Sequence, residues 1–170
     1  MEPRKPFNVK RFLMISYVLT FALYIVFGLQ PAEAAKYNIA GELKIDSISL
    51  KTDVAELIND GSGLKTPEKI AGEYSLRENK TLIIGHSTTV FDKLDEIAVD
   101  DEIDYNGTIY YVTQVQVVEK SKINMNKILA ADDEDRLILM TCAGEIYDDG
   151  DASHRLLVEA NREATTSRHE

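Results

Sequence analysis

The stretch EIAVDDEIDYNGTIYYVTQVQVVEK, residues 96–120, decides the fold class. Two runs rich in β-branched and aromatic residues flank Tyr105-Asn106-Gly107-Thr108. Asn-Gly supplies the positive φ angles that a tight hairpin turn demands. The two-residue period of a strand predicts one face of Ile109, Tyr111, Thr113, Val115 and Val117. The other face then carries Tyr110, Val112, Gln114 and Gln116.

Outward from this hairpin the chain reads as further short strands. YNIAGELKIDSISL (37–50) alternates imperfectly and predicts one or two strands. KTDVAELINDGSG (51–63) predicts a short helix capped by Thr52 or Asp53, apolar at Val54, Leu57 and Ile58, and ended by Gly61. LKTPEKIAGEYSLRENK (64–80) predicts a loop, punctuated by Pro67, Gly72 and Asn79. Thr81 to Ile84 is a short buried strand stopped by Gly85. KINMNKILAADDEDR (122–136) predicts a loop with one helical turn. LILMTC (137–142) is apolar on both faces and so a central strand. AGEIYDDGDASH (143–154) is rich in turn formers, RLLVEA (155–160) is a closing strand, and a polar tail begins near Asn161. Many short strands with little helix predict an all-β barrel or sandwich with one or two short helices.

The chain has 170 residues, room for a single core, with ordinary proportions of apolar (44%) and charged (28%) residues. Its beginning is unusual. Arg4, Lys5, Lys10 and Arg11 precede Phe12 to Leu29, an uncharged run long enough to span a bilayer as a helix. The flanking charges predict a cytoplasmic residue 1–11 segment, a 12–29 transmembrane anchor, a 30–36 linker and an extracytoplasmic domain over 37–160. A cleaved signal peptide ending near Ala32-Glu33-Ala34 is the competing reading, less favoured because the apolar run exceeds a usual signal core. Beyond residue 29 the chain holds 15 Lys and Arg against 28 Asp and Glu, a net charge of −13. So acidic a domain lacks the basic footprint that nucleic acid requires.

Exported domains use cysteines in disulfide pairs, yet Cys142 is the only cysteine. A buried, inert thiol is the plain interpretation. Two other groups bear on it: His86 follows the strand Thr81–Ile84, and Arg155 opens the strand RLLVEA. A thiol attacks as thiolate, and a neighbouring imidazole or guanidinium favours that form. The imidazole can protonate an amine leaving group, and a guanidinium can hold a developing oxyanion. Cys, His and Arg together suffice for acyl transfer at an amide bond.

The sequence resembles the sortases, membrane-anchored cysteine transpeptidases of bacterial cell surfaces. The resemblance is carried in order by LIIGHSTTVFDKL (Gly85, His86, Phe91, Leu94), Glu102-Ile103 in the hairpin, ILMTC (138–142) and RLLV (155–158). It spans about residues 37–160 and implies a closed eight-stranded β-barrel. It implies Cys142 as nucleophile, His86 as general acid and base, and Arg155 as the oxyanion or substrate-orienting group. Thr141 would line the substrate pocket. It further implies cleavage of a sorting signal such as Leu-Pro-x-Thr-Gly through a thioacyl enzyme. An amine acceptor, a peptidoglycan precursor or a pilin lysine, would then resolve that intermediate.

Ile138 and Asp46 stand where the family pattern has Thr and Pro. His154, beside Arg155, lacks the Gly-His…Phe context and is not favoured as the base. With no long N-terminal lid, second apolar segment or large insertion before LILMTC, the chain is more similar to classes A, D, E or F than to B or C. No cofactor is expected. Asp132 to Asp135 with Glu68 or Glu73 is a weak candidate for Ca²⁺, because hard-cation sites need six or more oxygens. Two alternatives stand beside transpeptidation: a cysteine peptidase that gives the same intermediate to water, and an exported wall-binding barrel with a buried Cys142.

Overall fold

The structure, a computed structural model, describes residues 37–57, 65–77, 79–128, 135–148 and 151–162. Asn106 and Gly107 both adopt positive φ (54° and 77°) and join β5 (Glu102–Tyr105) to β6 (Thr108–Glu119). The expected hairpin is therefore present. Its facial assignment needs correction. A β-bulge between Val112 and Gln114 inserts Thr113 opposite the pairs Val112–Ala160 and Gln114–Glu159. An extra residue reverses the parity of everything after it. Tyr110 and Val112 point inward before the bulge and Val115 packs against the core after it, so the face of Ile109 is not the face of Val115.

Eight strands close into a barrel. The others are β1 (Ile39–Ile45), β2 (Leu50–Glu56), β3 (Ala71–Arg77), β4 (Lys80–Ile84), β7 (Arg136–Ile146) and β8 (Ala152–Arg162). The order around the ring is β1-β2-β3-β4-β7-β8-β6-β5, with β5 returning to β1. Pairs β2–β3 and β4–β7 are parallel and the rest antiparallel. Among the described strands closure leaves no edge to pair with another chain.

Three segments differ from the sequence expectation. Residues 50–56 form β2, where a short helix was expected: Leu50, Thr52 and Val54 alternate inward while β1 and β3 supply ladders on both sides. Cross-strand pairing and burial here outweigh a weak helical spacing. Residues 71–77, expected as loop, form β3 between β2 and β4, and Pro67 stands ahead of the strand where it costs no ladder bond. The segment 143–154 is mostly hairpin rather than loop, since β7 runs on to Ile146 and β8 starts at Ala152. The helical turn expected within 122–136 is α1 (Met125–Ile128).

The barrel interior is filled by Leu43, Ile45, Val54, Ile83, Ile103, Val112, Leu137, Leu139 and Val158, all essentially inaccessible. Phe91 and Leu94, from the β4–β5 connection, belong to the same cluster. A second cluster lies on the opposite face of β4 and β7. Leu82 and Ile138 are covered there by Tyr74, Ile84, Met140 and the α1 residues Met125 and Ile128. This double burial is why residues 137–142 read as apolar on both faces.

At the end of β4 the parallel ladder with β7 is continued by two bonds. The Gly85 N–H donates to the Met140 carbonyl (3.2 Å), and the Thr141 hydroxyl donates to the Gly85 carbonyl (2.7 Å). Thr141 is 3% exposed, so its hydroxyl and the bond it makes are dry. Leaving a buried carbonyl without its donor costs about 1–3 kcal/mol. Thr141→Val should therefore lower the unfolding free energy by ~1–3 kcal/mol, and Thr141→Ser, which keeps the donor, by less. Denaturant titration of the two variants measures the difference; equal stability of Thr141→Val and wild type would contradict it.

Candidate active site

β4 and β7 run side by side and in the same direction, with Ile84 opposite Met140. Gly85 therefore leaves β4 level with Thr141, and His86 is the next residue of the chain. The chain then turns sharply: the His86 carbonyl accepts from the N–H groups of Thr89 (3.3 Å) and Phe91 (3.0 Å). The turn drops Phe91, 1% exposed, onto Gly85. A Cβ at Gly85 would stand 2.6 Å from the Phe91 ring, so only glycine lets the ring approach this closely. Gly-His…Phe is thus one structural unit, with the aromatic anchor buried and His86 at the surface beside it.

On the other side of β7, Cys142 pairs directly with Arg155 of β8. Directly opposed residues of an antiparallel pair share a face. His154 is opposite Ala143, and its place next to Arg155 in the strand turns it to the other face. Its Nδ1 lies 2.8 Å from the Ser153 hydroxyl, and it lines a separate cavity with Glu119, Tyr147 and Asp151.

Cys142 is half-buried and lines a cavity of about 310 Å³ with Phe91, Asp95, Val117, Thr141 and Leu156. Val117 is 60% exposed at this cavity, an apolar side chain open to solvent beside the thiol. Thr141 also lines the cavity, and its hydroxyl is committed to Gly85.

The register thus sets Cys142 opposite Arg155 and starts His86 two residues beyond the end of β4, while the tips of His86 and Arg155 are turned to other partners. His86 is exposed, with Nε2 placed 3.4 Å from the Thr66 carbonyl. Arg155 bends along its own strand. Its Nη1 donates to the carbonyls of Ala152 (3.0 Å) and His154 (2.9 Å), and its Nη2 donates to Asp151 Oδ1 (2.7 Å). Neither side chain lines the cavity at Cys142.

Asp151 has no prominence in the sequence, where it is one acid in a turn-rich stretch. In the structure it is bonded by Lys120, by Arg155 and by the Ala152 N–H. These bonds, the Lys120 one foremost, hold its carboxyl well below the usual carboxylate range. The depressed value means that the interaction is complete above the ordinary carboxylate pKa and weakens only as pH falls through the folded value. At neutral pH the brace is fully charged.

Among the described residues no three His, Cys, Asp or Glu side chains group closely enough to hold a metal ion. Glu73 accepts the Tyr105 hydroxyl, Glu68 is exposed, and Asp132 to Glu134 lie outside the described residues. The anchor expected over Phe12 to Leu29 also lies outside them, and no described helix is long and apolar enough to cross a membrane.

Comparison with known proteins agrees with this architecture. Residues 43–163 match the family described as Sortase domain. Sortase A from Corynebacterium diphtheriae, in a lid mutant, superposes with a TM-score of 0.58 at 26% identity, covering 75% of this chain and 72% of that one. Sortase C from Clostridium perfringens SM101 gives 0.58 at 23% identity over 75% and 71% of the two chains. Sortase A of Listeria monocytogenes gives 0.57 at 14% identity over 74% and 88%, a likeness of fold alone. No curated protein matches the sequence. A family match over most of the chain, on an eight-stranded barrel with its one cysteine beside a surface cavity, makes this protein a member of the sortase family of cysteine transpeptidases.

Proposed function

We propose that the chain cleaves a Leu-Pro-x-Thr-Gly-like sorting signal and transfers the acyl fragment to an amine. The observation that carries this reading is the strand register, with Cys142 directly opposite Arg155 and Thr141 bonded to the residue before His86. In the proposed sequence the Cys142 sulfur attacks the carbonyl carbon of the Thr–Gly bond. The tetrahedral oxyanion takes hydrogen bonds from Arg155, which stays protonated at any working pH. Collapse breaks the C–N bond, His86 gives its proton to the departing amine, and a thioester remains on Cys142. An incoming amine, from a peptidoglycan precursor or a pilin lysine, loses a proton to His86 as it attacks the thioester. The thiolate then leaves.

The His86 ring is exposed, so swinging from the Thr66 carbonyl toward Cys142 needs no repacking of the core. Catalytic contacts are often long before substrate binds. The apolar wall of Val117, Phe91 and Leu156 suits a peptide side chain and keeps water from part of the sulfur. The reading also makes the domain extracytoplasmic, tethered through Phe12 to Leu29, where surface-protein precursors emerge.

Mass spectrometry of the full chain with a panel of Leu-Pro-x-Thr-Gly peptides should detect a thioester adduct on Cys142, which triglycine discharges as a ligated product. Cys142→Ala should form no adduct while melting close to wild type. Discharge to water alone, in the presence of excess triglycine, would favour the peptidase. A wild-type thiol that stays unmodified both by the peptides and by a methanethiosulfonate reagent would sink the enzyme reading. In steady-state assays, His86→Ala and Arg155→Ala should each lower kcat/KM by about 10²–10⁴-fold, the usual scale for losing an acid–base group or an oxyanion donor. Near-wild-type turnover in either variant would assign that role to another residue.

A further inference from the structure

In a domain with a net charge of −13 beyond residue 29, the positive charge is not spread evenly. Three lysines meet at one cavity of about 440 Å³: Lys51 near the start of β2, Lys69 just ahead of β3, and Lys93 in the connection after His86. All three are exposed, whereas Ile48, Leu50 and Thr52 of the same lining are buried. A cationic rim thus surrounds a largely apolar floor. Lys51 shares a solvent-exposed ion pair with Glu42 (2.9 Å), a contact of the kind worth little in water. Lys93 makes no ion pair among the described residues. Asp92 is the one carboxylate in the lining.

Two walls tie this cavity to the reaction centre. Asp92 lines both it and the cavity at Cys142, so the two adjoin along the connection that follows His86. The other wall is the segment 66–69. The Thr66 carbonyl lies 3.4 Å from His86 Nε2, the Glu68 carbonyl accepts the Thr89 hydroxyl, and Lys69 comes next. The cavity therefore lies on the side of His86, the group that takes the proton of an incoming amine in the sequence proposed above. Charge differs between the two cavities: the lining at Cys142 carries Asp92 and Asp95 and no Lys or Arg. A molecule with an ammonium at one end and an acid at the other meets matching charge in each.

We propose that the cavity of Lys51, Lys69 and Lys93 is an anion subsite for the amine acceptor: it takes an acidic group, carboxylate or phosphate, carried at a distance from the nucleophilic nitrogen. The inference rests on the transpeptidase reading and narrows its acceptor to amines that bear an acid. The lysines make and break no bond. They hold the far end of the acceptor while its nitrogen gives a proton to His86 and attacks the thioester. Exposed ammonium groups act as point charges, without the planar fork that selects one acid geometry. The subsite accordingly discriminates charge and distance more than the identity of the acid.

The test uses the full chain in detergent, acylated by the Leu-Pro-x-Thr-Gly peptide that the wild type accepts. Paired acceptors are compared: glycine oligomers of about two to five residues, with a free or an amidated C-terminus. The free acid should be favoured in kcat/KM by about 3–20-fold, the scale of a few exposed charge pairs, mostly through KM. The preference should peak at one length and fall toward unity as added salt shortens the Debye length. A phosphonate in place of the carboxylate should keep it. Lys69→Gln and Lys93→Gln should each reduce the preference by about two- to fivefold. Lys44→Gln, at an exposed lysine paired with Asp46 outside the cavity, should leave it unchanged. Titration with inorganic phosphate gives a readout without substrate: the side-chain NMR signals of Lys51, Lys69 and Lys93 should shift together and saturate while those of Lys44 stay in place. Equal rates for acid and amide, a preference untouched by Lys69→Gln and Lys93→Gln, or phosphate shifts that never saturate would each overturn the inference while leaving transpeptidation standing. A wild type silent on every peptide would overturn the transpeptidase reading and this subsite's role with it.

Discussion

Parallel strands cannot be joined by a tight turn, so β4 and β7 meet only after the chain has laid down β5, β6 and α1 between them. Their register must be fixed by contacts made within the folded barrel, with no hairpin loop to set it. Leu82 opposite Ile138, buried outside, and Ile83 opposite Leu139, buried inside, fix it on both faces at once. A slip by one residue would exchange the two apolar sets between environments of different shape. At the end of the pair, the Thr141 hydroxyl on the Gly85 carbonyl carries that register one step beyond the ladder. The alignment of Gly85 with Thr141 descends from this pairing.

The same economy of parts governs the other side of the cysteine. β8 lies between β6 and β7 and is hydrogen-bonded to both along most of its length. Cys142, Arg155 and Val118 consequently stand in one row across three strands. The sheet sets the spacing of the row, and the hairpin beyond it sets the direction of the arginine. Rigid strands fix where a functional group starts, and the irregular backbone at their ends decides where it points.

These two levels differ in how legible they were. The hairpin at Asn106-Gly107 and the central strand 137–142 were readable because turn chemistry and two-sided apolarity are local signals. The closed eight-stranded ring was reached through the family resemblance and agrees with the strands observed. β2 and β3 differ from the expectation: Val54 and Gly72 satisfy a helix or a loop locally, and only neighbours distant in sequence make them strands. Cys142, His86 and Arg155 could be picked out by motif, and the register sets Cys142 opposite Arg155. Asp151 could not, since a turn-rich acidic stretch offers several carboxylates and only the fold of the hairpin selects the one that meets Arg155 and Lys120.

One feature of β6 works by counting. Before Thr113 the even-numbered residues Tyr110 and Val112 look into the barrel; after it the odd-numbered Val115 does, and Val117 reaches the cavity beside Cys142. Thr113 itself is exposed, and its hydroxyl merely donates to the Glu159 carbonyl. Its contribution is arithmetic more than chemical. Many side chains would serve in its place, but a ladder that took Thr113 in as an ordinary paired residue would send Gln116 toward the thiol and Val115 into water. Losing Thr113 outright would therefore disturb the facing of β6 less than keeping it and straightening the strand.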